Sequence, residues 1–313
     1  MARLNVLDLS PVSMDGGTQA QGVRETVEVA KAAERLGYQR FWVAEHHSIK
    51  HLSSPAPEIL IAALTQVTSR IRLGSGGVML PNYSPLKVAE VFMELEALAP
   101  GRIDLGLGRA LGADMMTGRA LGSRSSEVFP QYFALLSAWI LDACGKEPFP
   151  KESPFAEVKA NPSGPSHPDI FMLCSSVDSA RWAGMAGVGM VFAEFIARAD
   201  GMPAVAAYRE TFRPSVYRET PMAAVATMAL AAGTAEEADR LAAMTPRPPP
   251  RPGDEAGERF LRRIRGDAKT VRETLAQKAR HTGADEIFVM SAGPTLASRI
   301  RSLELIAAEG LTV

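Results

Sequence analysis

The run Glu45-His46-His47 is the most pointed chemistry in the chain, and His51 follows closely. Imidazole changes charge near neutral pH, so a histidine at a site can hold or move a proton. The plainer alternative is one packed histidine beside one exposed histidine. A metal reading would use His47 and His51 as ligands on one helix face. Ser53-Ser54-Pro55 interrupts that spacing, and no acidic third ligand is obvious nearby. Arg109 stands among glycines in Gly106-Leu-Gly108-Arg109, where a guanidinium can meet a phosphate with two hydrogen bonds or make a structural ion pair. Ser175-Ser176-Val-Asp-Ser179 reads as a helix start, either an anion seat or a simple cap. Gly74-Ser-Gly76-Gly77 has almost no side chain, which lets a flat ring or another backbone approach, or marks only a turn. The spacing Gly106, Gly108, Gly112 is one residue too long for a dinucleotide fingerprint.

The elements that must position these residues alternate along the chain. Strands are predicted over residues 3–9, 39–44, 71–79, 102–107, 169–173, 188–193, 221–231 and 284–290. Helices are predicted over 18–36, 57–68, 85–98, 125–144, 177–186, 200–212, 267–282 and 294–308, with another opening at Thr234-Ala-Glu-Glu. Eight strands, each followed by a helix, predict an α/β protein and a single (β/α)8 TIM barrel spanning 1–313. A Gly-rich insertion at about 108–123 follows the fourth strand, and a second at about 245–266 follows the seventh. The latter opens with the Pro-rich stretch 245–253, predicted as loop because proline fixes φ and lacks a donor. An open doubly wound sheet would need glycines after the first strand, where Asp8-Leu9-Ser10-Pro11 stands instead. A barrel carries its chemistry just after its strands, and Asp8, Glu45–His47, Gly76-Gly77, Arg109, Ser175-Ser176 and Glu194 all fall there.

Composition narrows the function. The 313 residues are 46% apolar and 22% charged, with a net charge of −1. So balanced a chain offers no field for a phosphate backbone, which argues against nucleic-acid binding. No apolar run of membrane length and no leader-like start is found, so a cytoplasmic protein is expected. Cys144 and Cys174 are too few for a disulfide scaffold and lack zinc spacing, so no metal is expected.

Taken together, the motifs resemble the luciferase-like flavin monooxygenases. The matching stretches are LDLSPV (7–12), FWVAEHH (41–47), IRLGSGGVMLPN (71–82), PLKVAE (85–90), PGRIDLGLGRALG (100–112) and LCSS (173–176). The resemblance covers most of the chain, is strongest over 1–125 and is weakest over 200–265. It implies a barrel that binds reduced FMN at the strand C-termini and inserts one atom of O2 into an organic substrate. His46 matches the family's reactive histidine, with His47 beside it. Gly76-Gly77 matches a non-proline cis peptide beneath the flavin ring. Arg109, Ser175 and Ser176 match the phosphate seat, and Asp8 is placed among the cofactor-binding residues. Arg119 or Arg124 would supply a second cation.

With no nucleotide fingerprint for a nicotinamide, reduced flavin is expected from a separate reductase, and the resemblance implies a homodimer formed through the helices next to strands 2 and 3. Gly108 replaces the reactive cysteine of light-emitting members, and Cys174 stands near the position of a glutamate in them. A substrate other than a fatty aldehyde is therefore expected, with antibiotic or polyketide tailoring as the nearest parallel. A deazaflavin-dependent oxidoreductase and a non-catalytic flavin-binding protein remain open alternatives, and a metal hydrolase is a third.

Overall fold

The computed structural model describes residues 1–110, 112–197, 199–245 and 264–313. Its strands are β1 (Arg3–Asp8), β2 (Arg40–Val43), β3 (Arg72–Ser75), β4 (Val78–Met79), β5 (Ile103–Gly108), β6 (Asp169–Cys174), β7 (Gly189–Ala193), β8 (Ala223–Ala232), β9 (Ile264–Asp267) and β10 (Glu286–Ser291). Its helices are α1 (Gln19–Leu36), α2 (Pro57–Thr65), α3 (Pro85–Leu98), α4 (Met115–Leu121), α5 (Phe129–Ala143), α6 (Val177–Met185), α7 (Glu194–Ala197), α8 (Met202–Thr211), α9 (Ala235–Ala243), α10 (Ala268–Thr282) and α11 (Leu296–Ala307). All pairings between strands are parallel, in the order β1-β2-β3-β5-β6-β7-β8, and β10 pairs with both β8 and β1. That closes an eight-stranded barrel, as the alternation predicts. Among the described residues, no helix is long and apolar enough to cross a membrane.

Local chemistry sets the helix ends. The Thr18 hydroxyl accepts from the Gln21 N–H to start α1, and Gly37 stops it with φ 88°. Thr295 and Ser298 form a reciprocal capping box on α11. Glycine also sets how closely strands pack. A Cβ on Gly106 would lie 2.1 Å from the Ser75 carbonyl oxygen, and one on Gly74 would meet the Trp42 indole at 2.6 Å. Trp42 can therefore fill the barrel, in edge contact with Phe171 and tilted against Phe288.

The barrel interior is layered. At the strand N-termini lies a charged layer, in which Asp104 accepts from Arg40, Arg72 and the Trp42 indole N–H at 2.6–2.9 Å. Glu286 accepts there from Asn5 and Arg40. Above it sit Leu7, Trp42, Phe171, Val191, Ala224 and Phe288. Toward the strand C-termini, Leu9, Leu173, Phe195 and Met228 are only partly buried and form an apolar mouth.

Several elements differ from the sequence expectation. The strand expected over 71–79 is divided into β3 and β4 around Ser75–Val78. The 108–123 insertion contains α4, started by the Asp114 carboxylate accepting from the Met116 and Thr117 N–H groups. The end of the second insertion is β9, which pairs with the far end of β8 outside the barrel. The Pro-rich stretch lies outside the described residues apart from Thr245.

Candidate active site

Glu45 is the hub of the mouth. It follows β2 and is fully buried. Its carboxylate accepts from the Met79 N–H at 2.8 Å, the Asn82 amide at 3.1 Å and the Tyr83 hydroxyl at 3.0 Å, and His47 Nε2 lies 2.8 Å away. Burial, and then the Glu45 charge, pushes the Tyr83 phenol well above its ordinary range, so Tyr83 remains a hydroxyl donor. Ser123 donates to Asn82 at 2.6 Å, which extends the hub to the segment after α4. One carboxylate thus ties three loops of the barrel rim together and orients His47.

His46 is in a different setting. Its N–H donates to the Ser54 carbonyl at 2.9 Å, while ring Nδ1 is buried with no hydrogen-bond partner. Burial, and then the charges of His47 and His51, lowers its pKa to about 4. His46 is therefore a neutral imidazole at neutral pH. Residues 46–56 are not helical, so His47 and His51 do not share a helix face. Among the described residues, no three His, Cys, Asp or Glu side chains are grouped to hold a metal ion.

The Gly76–Gly77 peptide is cis, at the position the resemblance implies. It lies between β3 and β4, where the Gly76 N–H donates to the Val43 carbonyl. Ser75 Oγ donates to the Gly106 carbonyl at 2.8 Å and accepts from the Gly106 N–H at 3.1 Å, locking this backbone to β5. Leu107 of β5 lies opposite Met172 of β6, so Arg109 comes level with Cys174, immediately before Ser175-Ser176. Arg109, Ser175 and Ser176 are all exposed at this rim. The Ser176 hydroxyl caps α6 in a box with Ser179, leaving the Ser175 hydroxyl and the Arg109 guanidinium as the outward-facing donors.

Asp8 sits differently from its expected place among cofactor contacts. It is buried, accepts from the Ser10 N–H at 2.5 Å, and lies 3.7 Å from Arg299. Arg299 in turn pairs with Glu25 at 2.5 Å. Burial raises the Asp8 carboxyl pKa, and Arg299 opposes the shift. This network braces the turn after β1, where Ser10 has φ 52°. Glu194 is likewise a strut, paired with Lys278 at 2.5 Å and accepting from the Gly201 N–H.

Sequence reasoning brought His46, His47, Gly76, Gly77, Arg109, Ser175 and Ser176 to one end of the barrel, and the structure places them there. It missed Glu45 as the hub, along with Tyr83 and Arg299. Only the adjacency of Glu45 to His46 and His47 could have signalled the first of these.

The family model for luciferase-like monooxygenases matches residues 2–294. A luciferase-like monooxygenase of Escherichia coli strain K12 is 34% identical over 327 residues, covering 96% of this chain and 95% of its own. The solved structure of apo-MsnO8 matches with a TM-score of 0.86 at 34% identity and covers 98% of both chains. The oxygenating constituent of 3,6-diketocamphane monooxygenase from Pseudomonas putida, solved with FMN, shares the fold at a TM-score of 0.75. It is 21% identical and covers 99% of this chain and 98% of its own.

Proposed function

The chain belongs to the luciferase-like monooxygenase family, and from that premise we propose that it uses reduced FMN and O2 to insert one oxygen atom into a small organic molecule. It is an enzyme of the flavin-dependent monooxygenase class. The observation that carries the FMN reading is the composition of the mouth. Leu9, Leu173, Phe195 and Met228 offer an apolar bed for a flat ring beside the Gly76–Gly77 peptide. Arg109 and Ser175 stand exposed at the ends of neighbouring strands, where a phosphate can be held. These residues fit a ring with a phosphate tail.

In this reading, reduced flavin supplies the electrons that activate O2. Arg109 and the Ser175-Ser176 turn hold the phosphate, and the Gly76–Gly77 peptide lies beside the ring. The apolar bed keeps water from the reacting atoms. Asp8 acts indirectly, through the turn it braces. His46, neutral at working pH, accepts and returns a proton near the ring, and Glu45 keeps His47 oriented beside it. The working form we propose is a cytoplasmic homodimer that receives reduced FMN from a separate reductase. Its substrate is of the natural-product type that tailoring enzymes oxidise.

Anaerobic titration with reduced FMN and with the deazaflavin cofactor, followed by admission of oxygen, tests the reading. Tight binding of FMN and oxygen consumption by the complex are expected. Preference for the deazaflavin, with turnover that ignores oxygen, would replace it with hydride transfer.

A further inference from the structure

A cleft of about 360 Å³ opens between the start of α1 and the loop after β2. Ala20 and Val23 of the helix face Ile49, Leu52 and Pro55 of the loop, and His46 lies in the same wall. No Lys, Arg, Asp or Glu lines it. The volume is within the range of about 300–1,000 Å³ typical of small-molecule sites.

The walls are fixed rather than collapsed. Gln19 Nε2 donates across the cleft to the Leu52 carbonyl at 2.8 Å and the Ile49 carbonyl at 3.2 Å. Behind the loop, the Val12 N–H donates to the His51 carbonyl and the Ser53 N–H to the Ser10 carbonyl. Pro11 and Leu52 form an antiparallel bridge. The loop is therefore stitched to the turn that Asp8 and Arg299 brace, and the opening is preorganised.

The lining selects the ligand. A charged molecule entering would lose hydration and meet no counter-charge, which is costly. An apolar body would remove apolar wall and ligand surface from water together. The His46 ring adds flat, uncharged surface to that wall, while its Nδ1 is buried and does not open onto the cleft.

We infer that this cleft binds a neutral organic molecule with an apolar body, held between Ala20 and Val23 on one side and Ile49, Leu52 and Pro55 on the other, with His46 in its wall. Only the further identification of that molecule as the oxygenated substrate rests on the monooxygenase reading.

The probe is N-phenyl-1-naphthylamine, a neutral fluorophore, titrated into the flavin-free protein. Its comparator is 8-anilinonaphthalene-1-sulfonate, which has the same aromatic body plus a negative charge. Ala20 and Val23 are exposed on α1, so Ala20→Trp and Val23→Trp fill the cleft from its edge without disturbing the core. Saturable binding of the neutral probe is expected, weaker by about tenfold in each tryptophan variant and in the sulfonated comparator. FMN affinity of the variants should match that of the parent. Neutral-probe binding that neither tryptophan changes, or equal binding of the sulfonate, would overturn the assignment. The probe titration uses no flavin, so failure of the cofactor reading and failure of this one are separately visible.

Discussion

Two adjacent histidines are placed in opposite settings by their neighbours. His47 is held by a buried carboxylate, whereas His46 keeps an unpartnered Nδ1. If His46 manages the proton, His46→Ala should bind FMN nearly as well as the parent yet lose product by about 10²–10⁴-fold. Oxygen uptake should continue, released as hydrogen peroxide. Full coupling of oxygen to product in that variant would reduce His46 to packing. The lowered pKa has a stability consequence with a definite sign. Unfolded, His46 titrates near about 6.5; folded, at about 4. The unfolded chain thus binds more protons between those values, so stability is present above the upper one and lost as pH falls through the window. Urea unfolding should show the parent losing about 2–3 kcal/mol relative to His46→Asn between pH 7 and pH 4. Parallel curves would contradict the shift. At the proposed phosphate seat, Arg109→Ala should weaken FMN binding by about 1.5–3 kcal/mol, the scale of a charge-assisted hydrogen bond. Unchanged affinity by calorimetry would move the phosphate elsewhere. These residues were legible in the sequence because a barrel brings every strand end to one face. The partners of Glu45 at Met79, Asn82 and Tyr83 were not, since nothing in the local sequence links residues more than thirty positions apart.

At the scale of elements, the two ends of the strands do different work. The C-terminal ends pack closely on glycine: a Cβ on Gly76 would meet Leu7 at 2.5 Å, one on Gly77 the Gly106 carbonyl at 2.7 Å and one on Gly108 the Met79 sulfur at 2.6 Å. The N-terminal ends bury charge: Arg40 lies against Asp104 at 2.6 Å and Glu286 at 3.1 Å, with its guanidinium over the Phe171 ring. Removing one member of such a network strands the others without a counter-charge. Asp104→Asn should therefore destabilise the fold by about 3–5 kcal/mol in urea unfolding. The folded fraction should keep its FMN affinity, because the mouth lies at the other end of the strands. A loss below about 1 kcal/mol would show that water already compensates the layer. The sequence pattern resolved the alternation well, and α3 keeps its expected limits of Pro85–Leu98. It could not anticipate this charged layer, since Arg40, Asp104 and Glu286 look like polar strand ends until closure turns them inward. Nor did it find α4, whose start depends on the Asp114 cap within a Gly-rich stretch that periodicity does not describe.

For the whole molecule, three large apolar side chains stand exposed on or beside the packed helices α2 and α3. Ile59 on α2 is 69% exposed, and Leu98 at the end of α3 is 52% exposed. Val67, just beyond α2, is also exposed, and α2 packs directly against α3. Single exposed apolar residues are ordinary on a soluble protein. In the proposed homodimer, a second copy of this chain would cover Ile59, Leu98 and Val67 symmetrically. A stable interface of this kind removes about 1,600 Å² from water, with its apolar centre depleted of charge. Ile59 is a suitable probe because its side chain supports little of the monomer's own core. Light scattering on the parent should give twice the 33.5 kDa of one chain. Ile59→Glu would bury an unpaired carboxylate at each symmetric contact, so it should shift the mass to that of one chain while FMN affinity persists. A parent that already runs as a single 33.5 kDa chain would overturn the dimer. A glutamate variant that stays paired would place the interface on another face.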